Sequence, residues 1–206
     1  MYLFAMITVV AGYLLGNLNG AVLISHLFGD DVRSHGSGNA GLTNFIRNYG
    51  AGRALAVILI DAGKAVAGCV LGGLLLKSTL GFQTGSMLGG TGVILGHVFP
   101  VFLGFKGGKG ILSGLFIAFI TDWRVALIIL AVFAVAYFST QYVSLGSVLA
   151  AIAFSVSFAV LHHNEPVLLF SGIFVGALAT GMHWNNIVRL VKGQERKTNL
   201  FKRDKA

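Results

Sequence analysis

An all-α bundle that crosses a lipid bilayer about seven times is the fold class predicted for this chain, and three observations predict it. Of 206 residues, 55% are hydrophobic and only 11% are charged, where an ordinary soluble domain carries roughly a quarter charged. The apolar residues fall in runs near the ~20 that a helix needs to cross the hydrocarbon core. The 29 glycines follow no collagen-like period, and several recur every four residues, which suits close helix packing in lipid. The single cysteine, Cys69, excludes an intrachain disulfide and a cysteine-based metal site. Residues 1–206 are expected to form one integral-membrane domain.

Residues 3–27 make the first span. The run is too long for a signal-peptide core and lacks a basic leader and a cleavage site. Gly12, Gly16 and Gly20 give it a small-residue ridge. A polar stretch follows, His35-Gly-Ser-Gly-Asn-Ala-Gly-Leu-Thr-Asn-Phe-Ile-Arg47. Ala51–Leu76 is the second span, with Gly68 and Gly72 as its ridge. Its Asp61 and Lys64 stand three apart and can pair on one face, because charges at that depth turn toward a bundle interior. Span 84–103 ends in Gly96-His-Val-Phe-Pro-Val-Phe-Leu-Gly-Phe-Lys-Gly-Gly-Lys-Gly110. Residues 111–141 are broken by Asp122-Trp-Arg124 into two short halves, read as a helical hairpin. Spans 145–161 and 166–183 complete the bundle, the last with Gly172 and Gly176, and residues 189–206 form a basic tail.

Orientation follows from Lys and Arg. With the N-terminus outside, twelve of the fifteen fall on one side, including Lys202, Arg203 and Lys205 of the tail; Lys77 and Arg124 fall opposite, and Lys64 lies within a span. That bias places the C-terminus in the cytoplasm. Both glycine-basic stretches, the turn at 141–145 and the exit after residue 183 then share the cytoplasmic face. The net charge of +8 therefore suits an anionic leaflet, and no nucleic-acid partner is expected.

The polar residues on that face point to phosphate. Ser37, Asn39, Thr43 and Asn44 surround three glycines as hydrogen-bonding groups, and the planar fork of Arg47 suits phosphate oxygens. In Phe105-Lys-Gly-Gly-Lys-Gly110, the backbone of Gly107 and Gly108 with Lys106 and Lys109 reads as an anion-binding nest at a helix start. It is not a Walker A sequence, since Leu103 and Gly110 stand where Gly and Ser or Thr are needed. His183, Asn186 and Arg189 fall near one face of the exit helix, and Glu195 is placed to clamp a cation or a backbone N–H. His162 and His163 have no carboxylate beyond Glu165 nearby in sequence, so no metal site is expected.

Taken in order, Ser37-Gly-Asn-Ala-Gly-Leu-Thr-Asn44 with Arg47, the 96–110 stretch, Tyr142-Val-Ser144, His183-x-x-Asn186-Ile-x-Arg189 and Gly193-x-Glu195 resemble the PlsY family, bacterial acyl-phosphate:glycerol-3-phosphate acyltransferases. The likeness covers the chain from the first span to about Arg196. The chain departs from the family pattern at Asn17 and Asn19 in a segment that commonly reads Ser-Ile-Pro, at Ala40 for Pro, Leu42 for Ala, Ala65 for Gly and Gln141 for Arg. A separate coincidence, the His-x4-Asp spacing of His26 and Asp31, belongs to another acyltransferase class and lacks that class's companion Pro-Glu-Gly block.

The resemblance implies a multi-pass enzyme of the bacterial inner membrane with its active site on the cytoplasmic side. It would move a fatty acyl group from acyl phosphate to the 1-hydroxyl of glycerol 3-phosphate, giving lysophosphatidate and phosphate. No cofactor is expected; the partners implied are the two substrates, membrane lipid and an enzyme that makes acyl phosphate. Ser37, Arg47, Lys106, Ser144, His183 and Asn186 are expected to carry catalysis. Asn39, Thr43, Asn44, Gly107, Gly108, Lys109 and Glu195 are expected to bind substrate.

Overall fold

The computed structural model describes residues 2–198; Lys202, Arg203 and Lys205 lie outside the described residues. Ten α-helices follow in order: α1 (Tyr2–Gly16), α2 (Gly20–Leu27), α3 (Leu42–Tyr49), α4 (Ala51–Leu76), α5 (Phe82–Val98), α6 (Ile111–Thr121), α7 (Trp123–Thr140), α8 (Val143–Leu161), α9 (Pro166–Met182) and α10 (Trp184–Val191). By length and apolarity, five segments can cross a bilayer: Tyr2–Leu27, α4, Phe82–Leu103, α7 and α8. The pair α9 and α10, bent by 56°, makes a sixth. The two halves of the expected hairpin prove unequal. Helix α7 has 18 residues, but α6 has 11, only about 16 Å of helix against a core of about 30 Å. Asp122 separates them, capping α7 by accepting the Arg124 N–H at 2.9 Å.

Helix α5 is the hub, packed on α1, α4, α6 and α9, while α7, α8 and α9 form a flanking layer. Glycine makes the hub possible. A Cβ on Gly12 would overlap the Gly89 carbonyl, and one on Gly89 would overlap the Gly68 carbonyl, so the backbones of α1, α4 and α5 touch directly. The ridges expected on α1 and α4 therefore meet a ridge of Gly85, Gly89, Gly92 and Gly96 on α5. Large side chains such as Phe4, Leu59, Val135 and Phe170 point outward, toward lipid.

The first span is interrupted at residues 17–19, and the side chains of Asn17 and Asn19 hold the break. The Asn19 side chain caps α2 by accepting the Val22 N–H at 3.1 Å, and its amide donates to the Ala40 carbonyl at 3.0 Å. Asn17 donates to the Tyr13 carbonyl at 2.7 Å and accepts the Phe102 N–H at 3.3 Å. The break exposes carbonyls at the end of α1 and N–H groups at the start of α2, which need partners. Asp61 and Lys64 of α4 supply them. Lys64 Nζ lies 3.2 Å from the Gly16 carbonyl and 2.5 Å from that of Leu18, while Asp61 Oδ1 accepts the Gly20 N–H at 3.2 Å. The two charges pair at 2.8 Å, both buried, and His97 Nδ1 lies 2.8 Å from Nζ. Each charge sits at the half-helix end whose dipole it complements.

At the opposite end of the bundle, His162 has more partners than its neighbourhood in sequence suggests. Besides Glu165 at 2.8 Å, Asp122 from the α6–α7 turn lies 2.9 Å from Nε2. Among the described residues no cluster suited to a metal forms.

Candidate active site

The loop before α3 folds around Asn44. Its amide nitrogen faces the carbonyls of Val32 and His35 at 3.0 Å and Asn39 at 3.1 Å, and its oxygen accepts the Ser37 N–H at 3.0 Å. Gly36 and Gly38 take positive φ, 59° and 69°, which lets the loop coil tightly about this amide. Asn44, expected to bind substrate, is thus committed to shaping the loop. Ser37, Asn39 and Thr43 line a cavity, and Asn44 borders it as well.

The second glycine stretch turns differently from the expected nest. Gly104 and Phe105 both adopt left-handed φ, 63° and 60°, and lift the Lys106 side chain out to solvent, while its backbone N–H donates to the Leu103 carbonyl and its carbonyl accepts from Arg33, each at 3.4 Å. Gly108 donates its N–H to the His97 carbonyl at 3.0 Å. Neither Lys106 nor Gly107 nor Gly108 lines the cavity, but Lys109 does. The loop is clipped by Arg33, whose fork grips Asp31 at 2.7 Å and the Leu103 carbonyl at 3.0 Å. That bidentate hold occupies Asp31, and exposed His26 stands 3.6 Å from it, so the pair builds no site.

From the exit, Asn186 accepts a hydrogen bond from Lys109 Nζ and donates to Glu195 at 2.9 Å, and Glu195 receives Arg189 at 2.7 Å. Arg47 lies across from this chain and donates to the Thr198 hydroxyl. Thr198 is in turn held by Tyr137 and by the backbone of Gln141; Gln141 does not line the cavity. His183 is buried, with Nδ1 2.8 Å from the Ala179 carbonyl. A carbonyl only accepts, so Nδ1 carries the proton and Nε2 of the neutral ring presents a lone pair. The Ser144 hydroxyl is buried beside Glu195, with no hydrogen bond of ordinary geometry to satisfy it.

These groups ring the mouth of a cavity of about 740 Å³. Arg47, Lys109, Arg189 and Arg196 line it together with two carboxylates, Glu195 and Asp61, the second already paired with Lys64. Burial, with Arg189 and Arg47 nearby, brings the Lys109 ammonium down to about 8, and burial lowers Arg47 as well. Burial alone would raise Glu195, but Arg189, Asn186 and Ser144 outweigh it and hold the carboxyl below its ordinary value. The mouth is short of negative charge and suits an anion. Below it the walls turn apolar, with Ile129, Leu130, Phe133, Ala150, Phe154 and Val175 between α6, α7, α8 and α9.

The arrangement presents cations and hydrogen-bond donors at a mouth and an aliphatic tube beneath, so it can hold a phosphorylated head and an alkyl tail together. Sequence reasoning missed Thr198 and Arg196, whose positions depend on how the exit segment folds back; of the two lysines it singled out, Lys109 lines the cavity and Lys106 does not.

Residues 6–193 match the family model of glycerol-3-phosphate acyltransferase. The chain is 35% identical over 196 residues to a glycerol-3-phosphate acyltransferase of Thermoanaerobacter pseudethanolicus, covering 95% of this chain and 96% of that one. It is 39% identical over 194 residues to one of Anaeromyxobacter dehalogenans, covering 93% and 96%. Its fold is similar to the crystal structure of PlsY, an integral membrane glycerol 3-phosphate acyltransferase, in its glycerol 3-phosphate form, with a TM-score of 0.85 at 33% identity over 96% of this chain and 99% of that one. The lysophosphatidic acid form of the same protein gives 0.81 at 34% identity over 95% and 96%.

Proposed function

The chain belongs to the glycerol-3-phosphate acyltransferase family of PlsY type, a multi-pass membrane protein, and on that premise we propose that it acylates the 1-hydroxyl of glycerol 3-phosphate from acyl phosphate. The products are lysophosphatidate and inorganic phosphate, and the site faces the cytoplasm across the inner membrane. One observation carries the reading: the cationic mouth formed by Arg47, Lys109 and Arg189 opens directly onto an apolar tube. Two phosphates meet at the mouth while the acyl chain lies below.

In this reading Arg47 and Lys109 neutralise phosphate charge, and Ser37 and Asn39 add hydrogen bonds to its oxygens. Glu195 holds Asn186 and Arg189 in position. The acceptor hydroxyl approaches Nε2 of His183 and the Ser144 hydroxyl. Its oxygen forms the ester bond to the acyl carbon as the carbon–oxygen bond to phosphate breaks, and phosphate leaves with the electron pair. An acyl phosphate is already activated, so positioning and charge stabilisation supply most of the catalysis. The proton passes to an oxygen of the departing phosphate, while His183 orients the hydroxyl.

Purified protein with radiolabelled glycerol 3-phosphate and palmitoyl phosphate should yield lysophosphatidate and phosphate in equal amounts. Turnover with palmitoyl-coenzyme A but not with palmitoyl phosphate would overturn the donor. His183→Ala should raise KM for glycerol 3-phosphate more than it lowers kcat. A fall in kcat by ~10²–10⁴ at unchanged KM would instead make His183 the general base.

A further inference from the structure

We propose that Phe154 is the stop that sets the longest acyl chain accepted, an inference that rests on the reading that the apolar tube holds the donor's chain. The axial order of the lining residues locates the end of the tube. On α8 the wall runs from Ser144 at the mouth through Ser147, Ala150 and Ala151 to Phe154, and no later residue of α8 lines it. Ile129 on α7 and Val175 on α9 are the lining residues farthest from the mouth on their helices. Phe154 lies roughly 15 Å along the helix from Ser144, is 3% exposed and is the bulkiest of the three. On α8 the wall above it is built from small residues, while Leu115 of α6 and Leu130 and Phe133 of α7 line other sides, and a Cβ on Gly114 would meet nothing within 4 Å. Along α8 the tube therefore ends on an aromatic ring.

That ring is braced from behind. Phe158, fully buried, lies one turn farther with its ring centroid 4.9 Å from that of Phe154. His162 stacks on Phe158 at 5.3 Å and is held by Asp122 and Glu165 at 2.9 and 2.8 Å. Gly172 brings α9 so close to Phe158 that a Cβ there would overlap the phenyl ring. An aromatic column thus runs along α8 from the tube to the far end of the bundle. A chain that reaches Phe154 meets packed side chains with no room to yield.

Wild type, Phe154→Ala, Phe154→Leu and Ala151→Leu should be assayed with glycerol 3-phosphate and saturated acyl phosphates from octanoyl to eicosanoyl. Phe154→Ala should raise kcat/KM for the longest donor relative to the shortest by about tenfold or more, the scale on which an apolar pocket senses a methylene. Phe154→Leu, which keeps the core filled, should shift the same way by less. Ala151→Leu adds bulk nearer the mouth and should move the optimum to shorter chains. If Phe154→Ala fails to fold in detergent, the opposite shifts of the other two carry the test. An unchanged chain-length optimum in folded variants would overturn Phe154 as the stop and leave the acyl-phosphate reading standing. No turnover of any acyl phosphate by wild type would overturn that reading and this inference with it.

Discussion

At Lys109 the electrostatics make a prediction that a surface lysine would not. Its ammonium is brought down to about 8, by burial first and then by Arg189 and Arg47, and bound phosphate, a dianion above about pH 6, favours the charged form and raises it again. Phosphate affinity should therefore be full below about pH 8 and fall as pH rises through that value. KM for glycerol 3-phosphate should climb between pH 8 and 9.5 in wild type, about tenfold per pH unit at the steepest. A flat profile to pH 9.5 would remove Lys109 from the phosphate site. Lys109→Ala should lower turnover by about two to three decades, the cost of one charge-assisted contact to developing charge, whereas Lys106→Ala should leave turnover within about threefold of wild type. Equal losses in both variants would contradict the placement of Lys106 outside the cavity. The sequence shows two lysines separated by two glycines; which of them enters the cavity depends on left-handed φ at Gly104 and Phe105, and a non-glycine residue in that region is not foreseeable from its type. Asn44 shows the same limit, since an asparagine in a glycine-rich loop reads equally as ligand or as scaffold until its partners are seen.

At the scale of the helix, the pairing of Asp61 with Lys64 was legible from their spacing, but its purpose was not. The missing signal is long-range: residues 17–19 break the first span, and the charges that satisfy the break come from α4. Asp61→Ala and Lys64→Ala should each lower the melting temperature in detergent, because each strands a buried charge at a cost of about 3–5 kcal/mol. The double change should recover only part of the loss, since the ends of α1 and α2 still lack their caps. Full recovery would show that capping contributes nothing; wild-type stability with lost activity in either single variant would move the pair into catalysis. The four-residue glycine spacing does mark close packing, of Gly12 and Gly16 on α1 and Gly68 and Gly72 on α4 against α5, while Gly20 stands beyond the break and meets Val57 of α4; the contact is testable. Gly89→Ala drives a methyl group into the Gly68 carbonyl and should cost about 1–3 kcal/mol. Gly63→Ala meets nothing within 4 Å and should leave stability unchanged or slightly improved. A melting temperature for Gly89→Ala at or above that of Gly63→Ala would refute the close approach.

For the whole molecule, the helical class and the membrane environment could be read from composition and run length, because both are set by what lipid excludes. The expected tally of seven spans came out less even: α6 is short, and the last span bends at His183, since packing against neighbours decides how deep a short apolar helix sits. The convergence of the motifs was foreseen from charge alone. The stretches around Arg47, Lys109, Asn186 and Glu195 meet at one end of the bundle, and the turns holding Asp122 and His162 meet at the other. The first end also bears Arg33, Arg53, Lys192, Arg196 and Lys197, and the opposite side bears Lys77 and Arg124. In the proposed orientation, which rests on that bias, the basic end faces the cytoplasm, and both the site and the exit segment should then be shielded from periplasmic reagents. In a Cys69→Ala background, Lys77→Cys should react with an impermeant maleimide in intact cells, and Lys192→Cys should react only after the membrane is opened. Both positions flank helices that pack on α5 or α8, so they report the two ends of one rigid bundle. Labelling of Lys192→Cys in intact cells, with Lys77→Cys protected, would invert the topology. The cationic mouth would then face outward, against the orientation proposed from the positive charge.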